Sequence, residues 1–413
     1  MRHRRCSARR PTAATPTAAH IALVLSAALV LIAPAARANS VFSLGGLGEP
    51  ALEENARIRA LGGAGVAERG PSAFSLVNPA SIAEARFLSL EATMLAGRRS
   101  ISTVDYGSES GSEASFPSVR LVVRLPGGTV LGGSYLTGTN AEFHVDRAES
   151  AGTASLLRIE GTGGINFARV TLARRMFRHL RAGVDFEVVG GSYREEWRRV
   201  FPNPSLTQSR DTLEVDWDRL GRWRFGLQYV RGGFVLGGAY ETARRLPTTY
   251  QQRTAGSRVK TTDHSLEIPS GYAAGFSIPL SSRGRFVGQY RRQSWDDQSL
   301  ESDLVDFRAM ERYSVGFERT AGEGGGLPIR LGGTYLKWPD LLPRAGAVDV
   351  FGGVAPVDEW AVSIGTGILT PDRGGAFDLS LEGGTRGSES DLGASETFFR
   401  ATVTVRVSDE TWK

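Results

Sequence analysis

Beyond residue 86 the chain alternates apolar and polar residues with a period of two. In the last segment Phe399, Ala401, Val403, Val405 and Val407 share one face, and Phe398, Arg400, Thr402, Thr404 and Arg406 share the other. The same period places Phe377, Leu379 and Leu381 against Asp378, Ser380 and Glu382, and Trp360, Val362, Ile364 and Ile368 against Ser363, Gly365 and Gly367. Earlier segments agree: Val119, Leu121, Val123 and Leu125 oppose Arg120 and Arg124, and Trp223, Phe225, Leu227 and Tyr229 oppose Arg222, Arg224, Gly226 and Gln228. Tyr313, Val315 and Phe317 oppose Ser314, Gly316 and Glu318, while Ile329, Leu331, Gly333 and Tyr335 oppose Arg330, Gly332 and Thr334. An all-β chain is predicted, each strand with one greasy and one polar face.

Alternation alone also fits a soluble sandwich or propeller, so the connections decide. Short turns fall at 126–128, 174–178, 231–233, 281–284, 321–326 and 370–375. Longer polar stretches lie between them, at 100–114, 144–154, 198–210, 247–265, 297–307, 339–357 and 386–395. That order predicts a transmembrane antiparallel β-barrel of about 14 strands, with tight periplasmic turns, extended outer loops and both termini in the periplasm. Closure is obligatory in hydrocarbon, where an open edge leaves backbone groups unpaired. Tyr135, Tyr240, Tyr290, Trp338, Trp360 and Trp412 near strand ends are candidates for interfacial girdles, with scattered core aromatics as the alternative.

The first 38 residues read as an exported leader: a basic start with Arg2, Arg4, Arg5, Arg9 and Arg10, an apolar core from Ile21 to Ala33, and the small-residue cleavage site Ala36-Arg37-Ala38. Taking its six arginines from the 49 basic residues leaves 43 against 44 acidic ones, a net of −1. The basic character belongs to the precursor, and a nucleic-acid partner is not expected. The only cysteine, Cys6, leaves with the leader. The expected division is 1–38 signal peptide, 39–85 N-terminal plug or hatch inside the lumen, and 86–413 barrel, located in the cell outer membrane of a Gram-negative cell.

The stretch from Asn55 to Ala85 does not alternate. Its apolar residues are interspersed with Gly62, Gly63, Gly65 and Gly70, which suits compact backbone packed inside something larger. It closes on Asn78-Pro79-Ala80, where Pro79 fixes φ and the Asn78 amide can satisfy a turn. The run Arg59 to Gly63, Ala64 to Ala67, followed by Asn78 to Ala80 and a long strand series, resembles the FadL-type outer-membrane transport proteins, whose fold also has fourteen strands. The resemblance implies passive passage of hydrophobic small molecules, fatty-acid-like or hydrocarbon, through a plugged barrel, with Phe74, Leu76, Val77, Asn78 and Pro79 as ligand or gate residues. Simple packing of the plug is the alternative for those five. Some members of the wider family resemble structural barrels that anchor or shuttle secreted proteins, and the apolar stretch Pro339 to Val357 suits a lid or a docking surface.

The polar strand faces carry charges of both signs. Two readings stand: an aqueous ionic pore, or ion pairs between wall and plug, drawn from Arg57, Arg59, Glu68, Arg120, Arg222, Arg330 and Glu382. The expected partners are outer-membrane lipid and lipopolysaccharide, a hydrophobic ligand and, during biogenesis, the barrel-assembly machinery; the chain is expected to be a monomer. Candidate chemistry is sparse. Asp263-His264-Ser265 are chain neighbours whose side chains cannot converge in extended backbone. Asp296, Asp297, Glu301, Asp303 and Asp306 lack the ligand spacing of a calcium loop, and no phosphate-binding loop occurs. No catalytic residue, metal or cofactor is expected.

Overall fold

The computed structural model describes residues 40–43, 47–51, 53–70, 74–86, 88–103, 107–149, 155–203, 205–254, 257–297, 306–320, 327–343, 354–369 and 374–409. The leader falls outside them, as do Trp412, Glu301, Asp303 and most of the 339–357 stretch. Fourteen antiparallel strands close into a barrel. They are β1 (Leu88–Thr103), β2 (Gly107–Arg124), β3 (Thr129–Thr137, resuming at Phe143–Glu149), β4 (Ser155–Arg175), β5 (Leu180–Val200), β6 (Ser209–Arg231) and β7 (Phe234–Glu241, resuming at Arg244–Arg253). Next come β8 (Lys260–Ile268 and Gly271–Pro279), β9 (Gly284–Gln293), β10 (Asp306–Phe307 and Met310–Thr320), β11 (Pro328–Pro343), β12 (Val354–Leu369), β13 (Gly375–Ser388) and β14 (Ala394–Asp409). The ladder from Leu88↔Asp409 to Thr103↔Ala394 joins β1 to β14 and seals the cylinder.

In the half nearer the short turns, alternation sorts side chains as expected. Leu227, Val315, Leu331, Val362 and Phe399 are exposed on the outside, while Arg120, Arg222, Arg224 and Arg330 are buried inside. Six adjacent strands carry an outward aromatic row, Tyr240, Tyr272, Tyr290, Tyr313, Tyr335 and Trp360. Tyr240 faces Tyr272 across the ladder, and successive rings from there lie 6.0, 4.9, 6.1 and 4.2 Å apart. The hydroxyls of Tyr290 and Tyr335 donate to Glu311 and Asp358, which also meet Lys337 and Arg308. Greasy rings ending in a charged rim are what a membrane–water boundary selects.

The far half corrects the loop assignment. β4 and β5 are 21 residues long and β6 is 23, about twice what a tilted strand needs to cross a bilayer. Much of what reads as long outer loop is therefore strand: β1 and β2 occupy most of 100–114, β7 and β8 most of 247–265, and β13 runs to Ser388 before a one-turn helix, Glu389–Leu392. Beyond the bilayer the outside meets water and the polarity reverses. Val215 and Trp217 point inward while Asp216 and Asp218 are exposed. A bulge shifts the register here, so that Val189↔Leu220 is followed by Gly191↔Trp217. The outer surface carries Arg158–Asp146 at 2.9 Å and Arg194–Glu214 at 3.2 Å. The hydrogen bond from Arg158 holds the Asp146 carboxyl below its usual range, against a smaller opposing effect of burial.

Inside this extension Tyr193, Val215, Trp217, Leu246, Leu266, Ile268, Trp295, Leu336, Trp338 and Val357 form one apolar cluster. Trp338, expected in a girdle, is fully buried in it and meets Phe42 edge-on at 6.4 Å. No helix among the described residues is long and apolar enough to cross a membrane.

Candidate functional site

The described residues of 47–86 pack against inward-facing side chains of the strands, and their local structure follows from a few polar side chains. Asn55 caps the one-turn helix Ala56–Arg59: its side chain accepts from Ile58 N at 3.1 Å and donates to the Phe74 carbonyl and to Glu91, each at 3.2 Å. The turn after this helix places Gly62, with φ of 66°, against Gly332 and Gly333 of β11, where any Cβ would collide with backbone. Arg312 donates to the Gly62 carbonyl at 3.2 Å, and the Thr334 hydroxyl donates to the same oxygen. Further on, Asn78 caps the short 3-10 helix Pro79–Glu84 by accepting from Ala80 N at 3.0 Å. Its amide donates to Val66 O at 2.8 Å and to the wall at Leu227 O at 3.1 Å. Asn78 and Pro79 rest where Gly183 of β5 pairs with Gly226 of β6, two positions at which a Cβ would strike them.

Charge fixes the segment to the wall. The Glu54 carboxylate accepts from Leu76 N at 3.0 Å, Val77 N at 3.2 Å and the Ser75 hydroxyl at 2.6 Å, so one buried acid folds the 75–77 backbone around itself. The carbonyls of the same stretch accept from three strands: Arg120 of β2 on Ser75 at 3.0 Å, Arg169 of β4 and Arg224 of β6 on Leu76 at 3.0 Å, and Arg224 again on Val77 at 2.8 Å. Glu53 bridges Arg169 at 3.2 Å and Arg291 at 3.3 Å. Glu49 meets Arg99 at 3.1 Å, Arg386 at 2.9 Å and Arg400, from β1, β13 and β14. Buried charges persist only when paired and hydrogen-bonded, and forked guanidinium groups supply both.

Of the residues expected to join wall and inner segment, Arg57 pairs with Glu318 at 3.0 Å and with Glu68 at 3.1 Å, and Glu68 pairs with Arg285 at 2.8 Å. Arg59 reaches the wall at the Thr402 hydroxyl at 2.9 Å, and Arg120, on the wall, reaches the inner segment at the Ser75 carbonyl. Arg222, Arg330 and Glu382 instead make wall-to-wall pairs, with Glu187 and Glu241, with Glu318 and Asp378, and with Arg400. Glu49 and Glu84, which do contact the wall, escape a reading by alternation because they lie in aperiodic sequence. Phe74, Leu76, Val77 and Asn78 are all buried, but the three apolar ones join three separate clusters rather than one surface.

Two cavities flank the segment. One, of about 330 Å³, lies beside an irregular part of the wall. β2 pairs with β3 only over Ser118–Arg124; from Gly107 to Pro117 its ladder runs to β1 alone among the described residues. Pro117 stands where pairing stops, having no N–H to offer. The cavity behind this seam is bounded by Glu113, Ala114, Ser115 and Pro117, by Thr137 and Asn140, and by Glu49, Pro50 and Ala51. The other cavity, about 1050 Å³, opens at the short-turn end and is lined by Arg57, Arg69, Arg86, Arg124, Arg174, Arg175, Arg178, Arg181, Arg231 and Arg285, with Glu84.

Elsewhere, His264 packs edge-on to Tyr250 at 4.9 Å, and Asp263 is reached by the Thr249 hydroxyl at 3.5 Å. His144 sits 3.3 Å from both Asp146 and Glu160 on the outer surface, and Asp296 pairs with Arg292 at 2.8 Å. No cluster of three metal-ligand side chains occurs among the described residues.

A closed fourteen-stranded cylinder with a lipid-facing belt and a polar lumen is the membrane-barrel fold of FadL-type transporters. The Ralstonia pickettii toluene transporter TbuX matches with a TM-score of 0.60 at 15% identity, over 86% of this chain and 98% of its own. A Pseudomonas aeruginosa FadL homologue gives 0.60 at 13%, over 86% and 98%. The CymD monoaromatic hydrocarbon channel gives 0.56 at 15%, over 89% and 99%. At such identities the likeness is one of fold. By sequence, the BamG family model matches residues 18–231, and the chain belongs to the BamG family. Among curated proteins none matches.

Proposed function

We propose that the protein sits in the outer membrane, short turns towards the periplasm, and gives hydrophobic small molecules a passive route from the outer face into or through the wall. The observation that carries this reading is the apolar core that fills the barrel beyond the aromatic girdle, where Trp217, Leu246, Leu266, Leu336 and Trp338 face inward. A lumen built only to conduct water and ions has no use for such a layer, whereas a hydrophobic solute that parts these side chains gains about 25 cal/mol for each Å² of its apolar surface taken out of water. Solved structures of the same fold are described as a toluene transporter and a monoaromatic hydrocarbon channel, which supports a solute of that class.

Beneath the apolar layer the lumen is ionic, so the solute leaves sideways past the seam at Pro117 or when the plug, residues 39–85, shifts. Phe74, Leu76 and Val77, held by Asn78 and Pro79, form the gate in this reading. The test is uptake of radiolabelled toluene and a labelled long-chain fatty acid by cells carrying the wild-type chain, a chain lacking residues 39–82, or Asn78→Ala with Pro79→Ala. Altered uptake with a folded barrel supports gating; equal uptake by all three, matching cells without the protein, rejects transport.

A second reading, an interaction barrel that anchors or shuttles secreted proteins, is favoured by the density of ion pairs across the lumen, which seat the inner segment on β1, β4, β5, β9, β10, β13 and β14. Recovery of a stoichiometric secreted partner, with no solute uptake, would select it.

A further inference from the structure

We infer that the short-turn mouth of the barrel is a docking basin for an acidic polypeptide segment of a periplasmic protein. The basin is about 1050 Å³ and its wall carries ten arginines. Among the described residues the carboxylates that touch any of these are Glu68, Glu84 and Glu318. Glu318 is shared further with Arg330 at 2.7 Å. Arg178 lies on an exposed turn, Arg174 and Arg231 are exposed at the ends of β4 and β6, and none of the three has a carboxylate beside it among the described residues.

Burial makes the imbalance sharper. The Arg181 side chain is only 4% exposed and lines the basin; one of its nitrogens meets Glu84, while its Nε and second Nη are buried with no hydrogen-bond partner. A guanidinium enclosed in this way is satisfied by an anion entering from outside. One carboxylate or phosphate would leave most of the surplus in place, so the geometry calls for several negative charges delivered together. The basin is concave and bordered by the turns at 126–128, 174–178 and 231–233, with room for an extended chain. On the same rim Met176 and Phe177 are 53% and 69% exposed, an apolar handle next to the charge that suits a protein segment better than a polyphosphate.

This inference uses the orientation proposed above but not the transport reading. It is tested with the full chain in zwitterionic nanodiscs and a fluorescein-labelled peptide of about ten glutamates, followed by anisotropy. The peptide should bind with an affinity that falls steeply with salt, and Arg174→Gln, Arg178→Gln, Arg231→Gln combined should weaken it about tenfold or more. The matched triple change Arg244→Gln, Arg253→Gln, Arg258→Gln at the far end should leave it unchanged. Equal loss in both triple variants means non-specific charge attraction and overturns the inference. So does full displacement by millimolar inorganic phosphate, which means a small-anion site, or by phosphatidylglycerol added to the nanodiscs, which means a lipid site. Solute uptake that persists in the first triple variant keeps this outcome separate from the transport test.

Discussion

Gly183 and Gly226 face each other across the β5–β6 ladder, and the pair forms a flat spot on the inner wall that receives Asn78 and Pro79. Two bare backbones let the inner segment approach to within van der Waals distance, with the Asn78 amide bonding the Leu227 carbonyl next door. A side chain at either glycine takes the place of the segment. Gly226→Leu is expected to cost about 1–3 kcal/mol through overpacking and to unseat residues 74–80 while β5 and β6 stay paired. Limited proteolysis should then cut within 39–85 faster than in wild type, with the barrel still running as a compact band in unheated gels. An unchanged cleavage rate would contradict the seat.

Glu53 is the acid whose loss is most informative, because it joins β4 to β9 through Arg169 and Arg291. Arg169 also meets Glu187, and Arg291 also meets Glu241 at 2.9 Å, so neither arginine is stranded when Glu53 is removed. Glu53→Gln should therefore cost about 1.5–3 kcal/mol, the worth of hydrogen bonds to charged groups rather than of a stranded buried charge. A urea midpoint measured by tryptophan fluorescence checks it; no shift would mean that the wall pairs alone hold the cluster.

Trp217 and Trp223 are an even number of residues apart on β6 yet face opposite ways, Trp217 into the apolar cluster at 7% exposure and Trp223 outward at 48%. The bulge between them supplies the reversal. In single-tryptophan variants, brominated lipid should quench Trp223 strongly and Trp217 hardly at all. Equal quenching would place both on lipid and remove the inverted extension.

Trp217→Ala should cost about 3–5 kcal/mol for the emptied space and raise binding of an apolar dye such as N-phenylnaphthylamine, since the hole is lined by Val215, Leu246 and Leu266. Trp223→Ala should do neither. Dye binding that rises with Trp223→Ala alone would put the hydrophobic site on the lipid face.

The belt and the closure were legible because between the short turns and the girdle the strands keep apolar residues on the lipid side and polar or small ones on the lumen side. There Arg120, Arg222, Arg224 and Arg330 lie inside as their alternation predicts. Past the girdle the environments exchange, water outside and apolar core inside, and the same periodicity with inverted meaning reads as polar loop. Trp338 was misplaced for that reason: a tryptophan at a strand end suggests a girdle, and only the reversed face explains its burial. The inner segment's contacts were half legible. Arg57 and Glu68 stood out as charges in an otherwise apolar stretch, while Glu49 and Glu84 had no spacing that pointed to Arg99, Arg386, Arg400 or Arg181.

The seam between β1 and β14 sets an order of events. Because the first strand of the cylinder hydrogen-bonds to the last, from Leu88↔Asp409 onward, neither can find its mate until the whole polypeptide has been exported. Until that moment two bare sheet margins are available to any other strand in the compartment. A chain cut short before Ala394 would keep both for good, a template for aggregation instead of a wall.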